Sequence, residues 1–284
     1  MASLGFLYDR IRPDEKALIN AARSKGVRVH LIDCKKAVFD VAGPMEPMGF
    51  GVAVQRCVSL LRYLHSTAIL EGAGIRVVNP SDVALTCGNK LLTTLALAKA
   101  GVPTPRTRVA FTVDSALRAL DRIGYPAILK PIIGSWGRLV ALLKDPDSAR
   151  SVLESWDQMG TSWYRVYYMQ EYVALSRRDI RCVAIGDDVV AAIYRYAPPG
   201  EWRSNLARGG RGERCEVTDE LRELSLKVAE AVGGGVLGVD LMETREGLVV
   251  HEVNHNVEFR RTVPITGVDI PSLIVDYALG LVRR

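Results

Sequence analysis

Two apolar runs near the C-terminus, VLGVDLME (residues 236–243) and GLVVHEVN (residues 247–254), stand so close together that only an antiparallel hairpin holds both as strands. A three-residue turn, Arg245-Glu246-Gly247, makes the pairing symmetric about Glu246 and sets Asp240 opposite Glu252. Directly opposed side chains lie roughly 4.5–5.5 Å apart at Cβ. Asn254, two residues beyond Glu252, shares its face. Facing carboxylates among Val239, Leu241, Val249, Val250 and Val253 repel each other strongly. An exposed edge hairpin with solvated acids would avoid the conflict, but its apolar flanks oppose that reading. A divalent cation removes it. Two carboxylates and an amide oxygen form a hard donor set, which suits Mg2+ shared with substrate phosphates better than zinc.

The chain leading to this hairpin reads as α/β. Up to Asn79-Pro80, LGFLY, VRVHLI, VAVQRCV and RVVN alternate with helical segments such as PDEKALINAARSKG, where Pro13 suits a helix start and Gly26 its end. That alternation predicts a small, mostly parallel sheet with helices on it. The stretch DCKKAVFDVAGPMEPMGFG reads as a loop. One helix is expected from Asp82 to Lys99, then a strand, a helix, YPAILKP and the loop IIGSWGRL. From Tyr167 the pattern is strand-dense: YYMQEYV, a hairpin about Gly186-Asp187-Asp188, a helix from Thr218 to Val232, the carboxylate hairpin and a closing amphipathic helix. Three lobes are predicted, spanning 1–85, 86–168 and 169–284.

Composition narrows the setting. No run of 18 apolar residues occurs, and the N-terminus enters a strand pattern directly, so a membrane span is not expected and a cytoplasmic location is. Five dispersed cysteines without a C-x-x-C pair suggest reduced structural thiols. The net charge of +5 allows an anionic partner, yet Lys and Arg are interspersed with acids. A basic nucleic-acid-binding module would interleave aromatics with clustered cations. Here aromatics are 7% and the densest polar cluster is acidic, which disfavours that class.

Lys130 ends the run PAILK and is followed by Gly134-Ser135-Trp136-Gly137-Arg138, a cation beside a flexible loop whose N–H groups can approach phosphate. Alone, such a lysine is more often a surface residue. GGGVLG (residues 233–238) matches G-x-G-x-x-G but follows a helix and precedes a strand, so it reads as a helix exit, and no P-loop motif occurs. Glu171 in YYMQEYV marks either a hinge with free backbone groups or a core strand with one solvated acid. Arg195, Arg203, Asn205 and Arg208 with Gly209-Gly210 suggest a charge-stabilising loop or a solvated one. His255 has no partner histidine and fits a substrate pocket or packing role better than ligation.

The order Lys90, Lys130, glycine loop, QEYV, RDIR, RSNLARGG, VDLME, HEVN resembles the ATP-grasp superfamily over nearly the whole chain, in the branch of ribosomal-protein S6 glutamate ligases and ligases of the amino-group carrier protein LysW. The resemblance implies an N-terminal Rossmann-like pre-ATP-grasp domain and two lobes closing over ATP. A carboxylate is phosphorylated to an acylphosphate and an amine displaces the phosphate. It implies Lys90 and Lys130 as phosphate-side lysines and Gly134 to Leu139 (Gly134, Ser135, Trp136, Gly137, Arg138, Leu139) as the phosphate loop. Glu171, Tyr172 and Val173 would form the adenine hinge, Asp179 the ribose contact, and Arg195, Arg203 and Asn205 the triphosphate end. Asp240, Glu252 and Asn254 would hold two Mg2+ ions, Glu252 bridging them.

LYDRIRPDE, QRCVS, GSWGR, NHNVEF and TGVDIP look more like LysW ligases than S6-modifying ones. Such ligases join the α-amine of α-aminoadipate or glutamate to the γ-carboxyl of the acidic carrier's C-terminal glutamate, in lysine or arginine biosynthesis, and homo-oligomeric assembly is expected. After E-F-[KR], aminoadipate ligases of the family carry Asn then Ser or Thr, and glutamate ligases Gly-Phe. Arg261-Thr262 matches neither fully, so aminoadipate with some glutamate use is expected, with His255, Asn256, Glu258, Arg261 and Thr262 lining the acceptor pocket.

Overall fold

The computed structural model describes residues 2–43, 46–159, 162–173, 177–204 and 209–282. Four parallel strands form the first sheet in the order β2-β1-β3-β4, from β1 (Ser3–Tyr8), β2 (Arg28–Asp33), β3 (Val52–Gln55) and β4 (Arg76–Val78), with α1 (Pro13–Ser24) and α2 (Leu60–Gly72) as crossovers. β1 sits between β2 and β3, so its end is a topological switch point where a crevice opens. Asp9, just past β1, accepts there from the Val58 and Ser59 N–H groups at 2.9 and 3.1 Å.

The stretch expected as one helix from Asp82 to Lys99 is two, α3 (Ser81–Cys87) and α4 (Lys90–Lys99). Asn89 breaks it: its carboxamide oxygen accepts from the N–H groups of Leu91 and Leu92, capping α4. Lys90 is thereby placed in the first turn of α4.

The central lobe is an antiparallel sheet, β5-β8-β6-β7, built from β5 (Thr107–Ala110), β6 (Ala127–Lys130), β7 (Ala141–Leu143) and β8 (Tyr167–Glu171) under α5 (Val113–Ile123) and α6 (Pro146–Asp157). It has its own core, including Leu120, Leu129, Leu153, Trp156 and Met169. The expected lobe boundary at 168/169 cuts β8, which pairs with both β5 and β6, so the central lobe runs to Glu171. The 85/86 boundary likewise falls inside α3.

The third sheet is antiparallel, β11-β10-β9-β12-β13, from β9 (Arg178–Ile185), β10 (Asp188–Tyr196), β11 (Arg211–Cys215), β12 (Val236–Thr244) and β13 (Gly247–Asn254). One face packs on α3, α4 and α7 (Asp219–Val232). After a short α8 (Thr262–Thr266), α9 (Ile270–Leu281) returns to α1, and Phe6, Val54, Val183, Val236, Phe259 and Ile274 share one core. The first and third lobes are thus fused, and the central lobe is the separable body.

The hairpin has the expected Asp240–Glu252 pairing, reached by another route. Its turn is two residues, since Thr244 pairs with Gly247, and a bulge at His251 restores the register. GGGVLG is a helix exit: Gly233 caps α7 in the left-handed region at φ 101°. All five cysteines are free, and no helix among the described residues is long and apolar enough to cross a membrane.

Candidate active site

Polar residues form a row across the inner face of the third sheet. Arg195 pairs directly with Asp179 between β10 and β9. Arg181 on β9 lies opposite Asp240 on β12, which lies opposite Glu252 on β13. The opposed carboxylates are neutralised by these neighbours. Arg181 forks both Asp240 oxygens, with Nη2 at 2.7 Å from Oδ2, and Arg195 Nη2 reaches the same oxygen at 3.1 Å. Lys90 Nζ lies 3.3 Å from Glu252 Oε1. A facing pair of acids therefore does not by itself demand a cation, because the sheet supplies arginines that the hairpin pattern does not reveal.

The donor types still suit Mg2+, with Glu252 lining both clefts of the site and Asn254 the second, while Asp240 is 1% exposed behind Arg181 and Arg195 and lines neither. Among the described residues no three His, Cys, Asp or Glu side chains come together as a metal group. The set here is two carboxylates and an amide: Asn254 lies opposite Gly238 and donates its amide N–H to Asp240 Oδ2 at 3.4 Å, which leaves its carboxamide oxygen for a cation. Burial would raise the Glu252 pKa, but Lys90 and then His251, Lys130 and Arg181 bring it down to about 2.

A cleft of about 900 Å3 between the central and third lobes brings together most of the nucleotide-side residues: Lys90, Lys130, the glycine loop, Tyr172, Val173 and Arg203, with Ile128 and Met242 as apolar lining. Lys130, at the end of β6, is buried and donates to Gln170 Oε1 at 2.6 Å. Desolvation pushes its pKa down to about 8 despite the opposing pull of Glu252. Lys90 Nζ also donates to the Gly134 carbonyl at 2.9 Å. Trp136 and Leu139 adopt left-handed backbone, with φ 59° and 55°, so the loop takes sharp turns without glycine at those points. Arg203 clasps it through the Gly137 and Val140 carbonyls, each at 3.4 Å, while ion-paired to Glu201.

Three expected residues are already engaged by protein partners. Glu171 lines the cleft with Tyr172 and Val173, but its side chain accepts from the Arg106 N–H and Nε at 2.7 and 2.6 Å and its own N–H is taken by the Arg106 carbonyl, so only backbone groups from its carbonyl onward can serve as a hinge. Asp179, expected at the ribose, lines the nucleotide cleft but is 3% exposed and accepts from Arg195 and the Ser204 hydroxyl through both oxygens. Burial, which would raise its pKa, is outweighed by Arg195 and His251, and it lies well below the usual range. Arg195, expected at the triphosphate end, is 5% exposed and committed to Asp179 and Asp240. Asn205 and Arg208 lie outside the described residues.

A second cleft, about 1480 Å3, adjoins the first and shares Gly134, Ser135 and Glu252 with it. His255, Asn256, Glu258, Arg261 and Thr262 all line it, as does Asn254. Glu258 is occupied: Arg12 Nη1 lies 2.5 Å from Oε1 and Trp136 Nε1 donates to the same oxygen at 3.3 Å. Arg12 is held in turn by Glu15. The glycine loop thus touches the acceptor side through Trp136. Asn256 Nδ2 donates to the Cys57 carbonyl at 2.9 Å, and Thr262 is 2% exposed. His255 is neutral, since burial and then Arg56 push its pKa down to about 4.

Sequence reasoning missed Arg181, Arg12 and His251. RDIR carries the signal for the first, polar residues alternating on an apolar strand, and R-x-x-E at the head of α1 for the second. His251, the bulged residue, lines the nucleotide cleft and was hidden by the assumed three-residue turn.

Two clefts meet at an acid-bearing hairpin, and comparison with known proteins identifies the fold that builds them. Residues 87–278 match the RimK-like ATP-grasp domain and residues 4–86 the LysX preATP-grasp domain. The chain is an ATP-grasp ligase. It is 36% identical to a glutamate–LysW ligase ArgX of Sulfurisphaera tokodaii, covering 95% of this chain and 96% of that protein. It is 37% identical to an alpha-aminoadipate–LysW ligase LysX of Sulfolobus acidocaldarius, covering 94% and 97%. A solved RimK domain ATP-grasp protein from Sphaerobacter thermophilus superposes with TM-score 0.79 at 26% identity, covering 98% of this chain and 100% of that one. As an ATP-grasp ligase, the chain joins a carboxylate to an amine at the cost of ATP.

Proposed function

We propose that this ligase joins the α-amine of α-aminoadipate, and more slowly of glutamate, to the γ-carboxyl of the C-terminal glutamate of an acidic LysW-type carrier protein. The observation that carries the reading is the shared wall of the two clefts at Gly134, Ser135 and Glu252, which lets a phosphoryl group pass from one side to a carboxylate on the other. The relatives that bear LysW names support the carrier. Their identities of 36% and 37% divide evenly between glutamate and aminoadipate, so the choice rests on Thr262 and the downstream TGVDIP.

In this reading Ile128, Met242, Tyr172 and Val173 take the base, and Lys90, Lys130 and the glycine loop take the phosphates. Asp240, Glu252 and Asn254 would hold Mg2+, Glu252 bridging two ions. Bound there, Mg2+ neutralises phosphate charge and polarises the transferred phosphoryl group. Lys130, protonated, offers charge where negative charge develops in transfer. Asp179 serves by fixing Arg195 beside Asp240. The acceptor amine attacks the acylphosphate from the second cleft, whose mouth is lined by Arg12, Arg260 and Arg261, and the +5 net charge favours encounter with an acidic carrier. Homo-oligomeric assembly and a cytoplasmic setting belong to the same proposal. Purified enzyme with carrier, ATP and each amino acid, read by intact mass, tests it: a carrier mass gain equal to one acceptor residue supports the reading, and no gain with either amino acid overturns it.

A further inference from the structure

The carboxylate hairpin is held at its open end by a residue from another lobe. Asn79 follows β4 of the first sheet and is 1% exposed. Its carboxamide pairs with Val236, the first residue of β12, as a backbone peptide would: Oδ1 accepts from the Val236 N–H at 2.6 Å and Nδ2 donates to the Val236 carbonyl at 2.7 Å. The second Nδ2 hydrogen goes to the His255 carbonyl, also at 2.7 Å. One side chain thus fixes the start of the strand that carries Asp240 and the residue directly after Asn254.

This is where the β12–β13 ladder stops. The last pair is Gly238 with Asn254, beyond which the chain turns away to carry His255 and Asn256 into the acceptor cleft. The Val236 and His255 groups would otherwise be polar groups shielded from water and without backbone partners, which is costly. Asn79 satisfies them, and the Tyr63 hydroxyl, which accepts from the Asn79 N–H at 3.0 Å, holds Asn79 itself. The Tyr63 ring also meets the His255 ring edge-on at 4.7 Å. Gly235 leaves room for the clamp: at φ 100° it has no Cβ, and a Cβ there would collide with Asn79 Oδ1. Asn79 touches neither cleft's reacting groups, so its part is to place them.

We propose that Asn79 is a positioning residue that sets the spacing of Asp240, Asn254 and the acceptor-side residues His255 and Asn256, so that the first lobe determines the geometry of the metal site. The proposal rests on the Mg2+ reading above. Its test uses full-length enzyme and calorimetric titration with ADP, in Mg2+ and in EDTA, beside steady-state turnover. Wild type should bind ADP more tightly in Mg2+. Asn79→Ala, and Asn79→Asp, which keeps the size and an accepting oxygen but loses both donors, should reduce that Mg2+-dependent tightening at least fivefold, leave affinity in EDTA unchanged, and lower kcat at least tenfold. A variant that melts earlier but keeps the tightening and kcat overturns the proposal, because Asn79 would then serve stability alone. Glu252→Gln is the control: if it keeps the full tightening, the metal reading fails independently of Asn79. The wild-type chain gives a readout that needs no variant to fold. The Val236 N–H, which donates to Asn79, should exchange with solvent severalfold more slowly with Mg2+ and ADP than with ADP in EDTA, and equal exchange overturns the coupling.

Discussion

Lys90 Nζ lies 3.3 Å from Glu252 Oε1 and at the same time donates to the Gly134 carbonyl at 2.9 Å, so a single ammonium ties the glycine loop to the carboxylate hairpin. The contact exists because Asn89 ends one helix and starts another, which sets Lys90 at the mouth of the nucleotide cleft. Glu252 is the point where the charges of three elements converge, from α4, β6 and β9, and both clefts open onto it.

Glu252→Gln keeps the shape of the side chain and removes its charge. Turnover should fall by about 10²-fold or more, the range seen when one preorganised electrostatic group is lost. The chain should still fold, because the amide fits the site, but it should melt at a lower temperature, because the charge that Lys90, Lys130 and Arg181 stabilise is gone. ADP release at saturating Mg2+ measures the first and thermal melting the second; near-wild-type turnover would sink the metal assignment.

Lys130 gives a pH signature. Burial holds its pKa at about 8, so the free enzyme loses this positive charge as pH rises through that value. The kcat/KM for ATP should therefore decline above about pH 8. Lys130→Met should cost about 10²-fold at neutral pH, and Lys130→Arg, charged throughout, should be weaker than wild type yet lose the basic decline. The stability linkage has the opposite sign. Between about pH 8 and the unfolded lysine value near 10.4, the unfolded chain binds more protons, so this group's contribution to stability rises with pH. A profile of kcat/KM flat to pH 10 contradicts the assignment.

Trp136 connects the two clefts through its hydrogen bond to Glu258, which Arg12 also holds. Trp136→Phe keeps an aromatic ring on the loop and deletes only the N–H. The lost bond is long, at 3.3 Å, and shares its acceptor with Arg12, so it is worth about 1 kcal/mol. The expected outcome is a KM for the acceptor amino acid raised several-fold, with ADP affinity almost unchanged. Equal loss on both sides would mean that the tryptophan supports the loop as a whole.

The parallel first sheet and the Asp240–Glu252 pairing were legible because each depends on local pattern: alternation, turn residues and strand period. The carboxylate pairing was right although its premise was wrong, since the two-residue turn and the bulge at His251 shift the register by compensating amounts. What the sequence hid was lateral. Arg181 and Arg195 reach Asp240 from β9 and β10, which are 45 or more residues away in the chain, and no local rule states that β9 lies between β10 and β12. The Asp179–Arg195 pair was hidden for the same reason: the two residues face each other across a strand pair.

The structure divides the two residues that were expected to set acceptor choice together. Both line the acceptor cleft, but Thr262 is 2% exposed in the first turn of α8, where the Thr266 hydroxyl donates to its carbonyl at 2.9 Å. Phenylalanine there must displace packed neighbours, at about 1–3 kcal/mol. Arg261 is the N-cap residue of that helix and is exposed, so changing it displaces less packing than changing Thr262. Aminoadipate and glutamate differ by one methylene, which a pocket separates by only about 10–200-fold. Replacing Arg261-Thr262 by Gly-Phe should therefore shift the ratio of kcat/KM toward glutamate within that range and lower the melting temperature. Arg261→Gly alone should move the ratio in the same direction with little effect on melting. Rates for both amino acids with one carrier preparation decide it: a ratio unchanged in both variants places specificity elsewhere in the cleft, with Asn256 the next residue to test.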